Sequence, residues 1–217
     1  MGRNKYPEQT LEKILSTSAK LFIEKGYEQT SIQDIMDALS ISKGGVYHHF
    51  KSKEEILEAV IEKRSQHVYE TLNDLIQNTP APNSKEKLKK ILHHIATDTE
   101  THALDIVLSV QVKNPHFVVS GIQNCVKLDA PIISKMIAAG VEDGSIHTAD
   151  PELCGEVFLL LLNFWMNPVL FDRDFSQTRK RLNYLKSLTC LLGLDIIDDD
   201  FIVAMMNAYD KMGGFVG

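Results

Sequence analysis

Ser42-Lys43-Gly44-Gly45-Val46-Tyr47-His48-His49-Phe50-Lys51-Ser52-Lys53 is the most informative dozen residues of the chain. It follows the amphipathic run from Ser31 to Leu39 after a turn of only three residues. Two short helices on so tight a turn cross at a steep angle, the geometry of a helix-turn-helix. The second helix carries Lys43, Gly44, Gly45, Tyr47 and His48, which are donors and small residues with few apolar side chains to bury. Such a surface suits a DNA groove, because small residues permit close approach and donors reach phosphates and base edges.

Helical periodicity extends in both directions. Leu11, Ile14, Leu15, Ser18 and Phe22 share one face of a helix expected over 7–25, with Gly26 at its C-terminal cap. Ser31 with Asp34, and Ser52 with Glu55, have the spacing of capping boxes. Ser42 is the expected cap of the helix that ends near His49, and the helix opened by Ser52 should run to about Ile76. After the breaker cluster 78–83, further helices are expected over 84–98, 103–112, 116–141 (interrupted at Pro131), 151–166, 177–192 and 198–209. No strand-like alternation or internal repeat stands out.

The 217 residues are 44% hydrophobic, enough to bury a sizeable core, and the 7 Pro and 12 Gly are too few for a collagen-like or disordered chain. Cys125, Cys154 and Cys190 are odd in number, far apart and without metal spacing, which points to a reduced cytoplasmic setting. Met1 to Thr10 is polar, and the longest apolar run, Val157 to Leu162, is far too short to span a bilayer, so no membrane association is expected. The net charge of −6 is uneven: residues 1–66 hold ten basic and ten acidic side chains, and residues 67–217 hold thirteen and nineteen. Residues 43–53 contain three lysines and no acid, a local patch able to meet phosphate while the second half repels it.

The run Thr30-Ser31-Ile32-Gln33-Asp34-Ile35, followed by 42–57 with Glu54-Glu55-Ile56-Leu57 at its end, resembles the TetR family of transcriptional regulators (TetR/AcrR-like). A second phrase, Ala139-Gly140-Val141-Glu142-Asp143-Gly144-Ser145-Ile146 with Asp150-Pro151-Glu152-Leu153, is similar to a helix junction in the ligand-binding half of that family. Ser40 departs from the pattern, standing where the family usually has a turn glycine.

The resemblance implies an all-α protein of nine or ten helices. A three-helix DNA-binding domain over 1–51 precedes a larger helical ligand-binding and dimerisation domain over 52–217, joined by the helix of 52–76. It implies that Tyr47 and His48 face DNA, that Lys43 starts the recognition helix, and that Thr30, Lys51 and Lys53 contact phosphates. With Ser31, Ser42, Gly44 and Gly45, these form the candidate DNA-contacting set. It further implies an inducer cavity, for which Leu108, Phe117, Met136, Phe158, Phe164 and Trp165 are the candidate lining. Val157 to Leu162 are consecutive and cover more than one helix face, so a partner copy is expected there. Val157, Leu160, Leu161, Leu185, Leu188 and Leu192 are the candidate homodimer contacts.

His94, Asp98 and His102 recur at four-residue steps, but 97–101 reads as a helix end that scatters them, so no metal site is expected. No nucleophile elbow, phosphate-binding glycine loop or His-Glu-x-x-His motif is present; neither catalytic residues nor a cofactor are expected. The expected function is a one-component, ligand-responsive repressor that binds a palindromic double-stranded DNA operator as a dimer and leaves it when an unidentified small molecule binds. The alternative is a helical small-molecule carrier or enzyme without DNA binding. Lys43, Lys51 and Lys53 in one run argue against it, since a carrier has no need of a phosphate-facing cluster.

Overall fold

A computed structural model describes residues 7–98, 105–112 and 114–216. Among them are eleven α-helices: α1 (Pro7–Lys25), α2 (Ile32–Leu39), α3 (Lys43–Tyr47), α4 (Lys53–Asn78), α5 (Ser84–Thr97), α6 (Asp105–Gln111), α7 (Pro115–Asn124), α8 (Ala130–Glu142), α9 (Pro151–Leu160), α10 (Phe175–Leu191) and α11 (Asp199–Lys211). The count exceeds the expected nine or ten because the segment 116–141 is two helices joined by a π-helical turn, Cys125–Asp129. Pro131 explains the turn. It has no N–H and its ring crowds the carbonyl four residues back, so the backbone widens and Ala130 N–H reaches Cys125 O. A second π turn, Leu161–Trp165, extends α9. The expected start at Ala103, and His102, lie outside the described residues.

The chain forms two compact units, Met1–Thr71 and Leu72–Gly217, and α4 runs across their boundary. In the first unit Ile14, Leu15 and Phe22 of α1, Ile35 and Met36 of α2, Val46 of α3, and Ile56, Leu57 and Val60 of α4 are all buried. This is the face that the periodicity of α1 and α2 predicts. In the second unit α5 packs on α8 and α11, and α8 packs on α9. Gly155 allows that last contact, because a Cβ there would lie 2.4 Å from Ser134 Oγ.

Three helix starts near the front of the chain are built differently. At α2 the capping box is complete: Ser31 Oγ accepts from Asp34 N–H, and the Asp34 carboxylate accepts from Ser31 N–H at 2.7 Å. At α4 Ser52 Oγ accepts from Glu55 N–H at 3.2 Å, but the Glu55 carboxylate reaches one residue further back, to Lys51 N–H at 2.7 Å. At α3 the expected cap by Ser42 is not made, and its side chain bonds no helix N–H.

Ser40 has φ 52° and ψ 40°, the left-handed conformation, and its N–H returns to Met36 O and Asp37 O. A Cβ in that conformation costs about 1–2 kcal/mol, and glycine forfeits part of the gain through its freer unfolded chain. Ser40→Gly is therefore expected to stabilise the protein by about 0.5–1 kcal/mol, read as a raised denaturation midpoint.

Asp34 provides a pH test. The hydrogen bond from Lys25 Nζ, then those from Ser31, hold its carboxyl well below the ordinary 3.8. A carboxyl depressed in the folded state adds stability above its unfolded pKa and loses it as pH falls. The stability gap between wild type and Asp34→Ala should be full at neutral pH and close as pH drops below about 4, followed by thermal melting.

Candidate nucleic-acid interface

Helix α3 is held by one buried side chain and presents nearly everything else. Val46 is 0% exposed and anchors it, with Phe50 buried just after. Lys43, Gly44, Tyr47 and His48 fall at i, i+1, i+4 and i+5, one face of the helix, and all four are exposed. Lys43 Nζ lies 5.5 Å from the Tyr47 ring centroid, and the His48 and His49 rings meet edge-to-face at 5.1 Å. Gly45 and His49 are half-buried, and His49 Nε2 is enclosed without a hydrogen-bond partner among the described residues. Ser42 and Lys51 are exposed, and among the described residues no carboxylate pairs with Lys43 or Lys51. The face therefore offers hydroxyls, imidazole and two free ammonium groups around a strip with almost no side chains. That arrangement can meet an anionic, grooved surface.

Two members of the candidate set turn inward. Thr30 is 1% exposed, with its hydroxyl donating to Gly26 O at 2.8 Å and Leu21 O at 3.2 Å, and its N–H bonded to Tyr27 O. Lys53 Nζ donates to Tyr27 O at 2.9 Å. Neither group is free as placed, because the turn between α1 and α2 needs its carbonyls satisfied once it is packed. At the starts of α2 and α4 the N–H groups of Asp34 and Glu55 are taken by the hydroxyls of Ser31 and Ser52. Ser31 remains exposed, with its hydroxyl donating to Asp34 at 2.6 Å. Sequence reasoning passed over Tyr27 as an organiser, since its partner Glu54 lies 27 residues away and leaves no local pattern.

The candidate cavity residues of the second unit do not converge on one site. Met136 and Phe158 are packed into the core at 7% and 1% exposure. Leu108, Phe117, Phe164 and Trp165 are half-buried. Trp165 lines an open groove of about 610 Å³ with Gln177, Lys180, Arg181, Asn183, Tyr184 and Ser187, and none of the other five candidates lines it. Its ring meets that of Tyr184 at 6.3 Å, and the Arg173 guanidinium donates to its carbonyl. A hydrophobic side-chain list cannot separate a cavity wall from a filled core, and for Met136 and Phe158 packing prevailed.

Of the candidate dimer contacts, Leu185 is 0% exposed and packed in the core of its own unit. Val157 and Leu192 are exposed, and Leu160, Leu161 and Leu188 are half-buried. The exposed apolar set also contains Leu153, Tyr184 and Leu191, which sequence reasoning did not single out. Tyr184, Leu188, Leu191 and Leu192 follow i, i+4, i+7, i+8, so the stripe was present in the sequence one residue from where Leu185 placed it.

The comparisons with known proteins agree with this geometry. Residues 14–60 match the sequence model of the bacterial regulatory proteins, tetR family. The uncharacterised HTH-type transcriptional regulator YerO of Bacillus subtilis is 36% identical over 97 residues, 45% of this chain, and the match spans about a third (34%) of that relative's length. IcaR of Staphylococcus aureus, described as a negative transcriptional regulator of the biofilm operon icaADBC, is 28% identical over 178 residues, covering 81% of this chain and 92% of IcaR. A crystal structure of a TetR-family transcriptional regulator from Pectobacterium atrosepticum shares the fold, with TM-score 0.61 at 23% identity over 88% of this chain and 96% of the other. With the helix-turn-helix of α2 and α3 matched in sequence and the helical fold matched in structure, the sequence relatives and structural neighbours of this chain are TetR/AcrR-family helix-turn-helix transcriptional regulators.

Proposed function

We propose that this chain is a ligand-responsive transcriptional repressor that reads double-stranded DNA through α3. The observation that carries the reading is the outward face of α3, where Lys43, Gly44, Tyr47 and His48 stand exposed beside Ser42 and Lys51 with no carboxylate neutralising the lysines. The N-terminal 1–51 is the reader, and 52–217 regulates it, with the first part of α4 as the connection. IcaR's description as a negative regulator supports repression over activation. Two copies pair through α9 and α10, whose exposed apolar side chains Leu153, Val157, Tyr184 and Leu191 require cover. The two recognition helices then meet successive major grooves of a palindromic operator. A small molecule bound in the second unit lowers DNA affinity, and DNA lowers affinity for it by the same factor.

Selection of binding sites from a pool of random duplexes tests the reader. The recovered operator should be palindromic. His48→Ala should relax preference at one base position in each half-site, with the salt slope unchanged. Lys51→Met should weaken binding to every sequence and flatten the slope of log affinity against log salt by about 0.9. Recovery of no preferred sequence by the wild-type protein defeats the reading.

The pairing has its own test. Leu191 is 83% exposed at the end of α10. Leu191→Glu should leave the fold intact and turn a dimer into a monomer at micromolar protein, because an apolar interface cannot hold two unpaired carboxylates. Sedimentation showing a wild-type monomer removes the two-fold operator from the proposal.

A further inference from the structure

Helix α10 carries Arg179, Lys180, Arg181 and Lys186 and no carboxylate. Lys186 is taken up by Asp199 at 2.9 Å. Lys180 and Arg181 line the open groove of about 610 Å³ beside Trp165, Gln177 and Tyr184, and no carboxylate lines it. Among the described residues no acid forms an ion pair with either of them. Asp174, at the start of the helix, is its cap and accepts from Gln177 N–H at 2.7 Å. Arg181 gives one N–H to Gln177 O at 3.0 Å, which leaves most of the guanidinium fork free.

A third cation adjoins the groove through Trp165. Arg173 is 6% exposed, donates to the Trp165 carbonyl and holds its guanidinium carbon 4.1 Å from the Phe171 ring centroid. No carboxylate pairs with it among the described residues. Burial first, and then the Arg181 charge, lower its pKa, yet a guanidinium stays charged at any ordinary pH. Positive charge withdrawn from water without a counter-charge is costly, and an anion near Arg181 relieves it. The apolar part of the groove is as specific as its charge. Trp165 is half-buried, Tyr184 is exposed, and their rings meet at 6.3 Å with planes 66° apart. Two rings at that angle form a corner where a flat ring can lie on one face and meet the edge of the other.

We propose that this groove is a binding site for a small aromatic carboxylate, with its ring in the Trp165–Tyr184 corner and its carboxylate held by Arg181 and Lys180. A guanidinium meets a carboxylate in a two-point fork, and the ammonium adds a point charge beside it. The site lies wholly within the second unit and does not depend on the regulator reading above. Tyr184 also belongs to the exposed apolar set assigned to the second copy, so the test separates these two occupants.

The test follows the fluorescence of Trp165, the single tryptophan of the chain, in the full-length protein without DNA. Benzoate should change it saturably, half-saturating at or below about 10 mM. Benzyl alcohol has the ring without the charge and should bind at least about tenfold more weakly. Cyclohexanecarboxylate has the charge without the flat ring and should bind at least about twofold more weakly. Lys180→Met combined with Arg181→Met should lose about tenfold or more in benzoate affinity and bind benzyl alcohol as the wild type does. Arg181→Lys keeps the charge and loses the fork, so a weaker hold on benzoate carries the comparison if the double variant does not fold. No saturable change with benzoate, equal binding of benzyl alcohol, or undiminished benzoate binding by the charge variants overturns the proposal. The titration is repeated over about a hundredfold range of protein concentration. Unchanged benzoate affinity supports the small anion, whereas affinity that falls as protein is concentrated assigns the groove to the second copy and overturns the proposal. Failure of the protein to select a DNA sequence defeats the regulator reading and leaves this site standing.

Discussion

The three residues between α2 and α3 constrain everything that α3 can do. The chain leaves α2 through a left-handed Ser40, sends the N–H of Ile41 back to Met36 O, and enters α3 from an extended Ser42. A helix of only five residues has too few hydrogen bonds to hold its own shape, since nucleation costs more than so short a run returns. Its geometry comes from the turn behind it and from Val46 and Phe50 in the core. The remaining side chains of α3 are thereby released from structural duty. Glycine at two positions, costly inside an ordinary helix, is tolerated because packing and not propensity maintains the helix.

Polar groups in this unit divide between those consumed by the fold and those left over. Lys25 pairs with Asp34, Lys63 with Glu12, and Lys53 with the Tyr27 backbone. Lys43 and Lys51 stay outside that network. The unit is close to electrically neutral by count, yet its cations and carboxylates are not mixed evenly. Asp34 and Glu55 are drawn into caps, Asp34 also into the Lys25 pair, while the charged residues of 43–53 are lysines alone. Net charge therefore says little about whether this surface attracts phosphate, and local placement within a Debye length says more.

The second unit follows a different logic. Its core collects Leu88, Ile91, Ile137, Phe158, Met166, Leu182 and Leu185. Both π turns fall within reach of a downstream proline, and they bring Cys125 and Asn163 into contact, with Asn163 Nδ2 3.8 Å from Cys125 Sγ. Burial and the nearby Asp129 push the Cys125 thiol up to about 11, so it is an inert packing group at neutral pH. Fractional burial separates the neighbours Tyr184 and Leu185 completely, although both are large and apolar enough to serve either side of a helix.

The linear chain by itself determined the all-α class, the positions of most helices, the capping box at Ser31 and the exposed polar face of α3. Those features depend on neighbours three or four residues apart, which the sequence displays directly. Tertiary structure alone decided that Thr30 and Lys53 turn inward, because their partners are carbonyls of a turn brought to them by packing. It alone decided that Met136, Phe158 and Leu185 fill a core while Leu153 and Leu191 stay outside. An apolar side chain lowers its free energy against any close-packed neighbour, so its choice of neighbour depends on the helices around it and is not written at its own position.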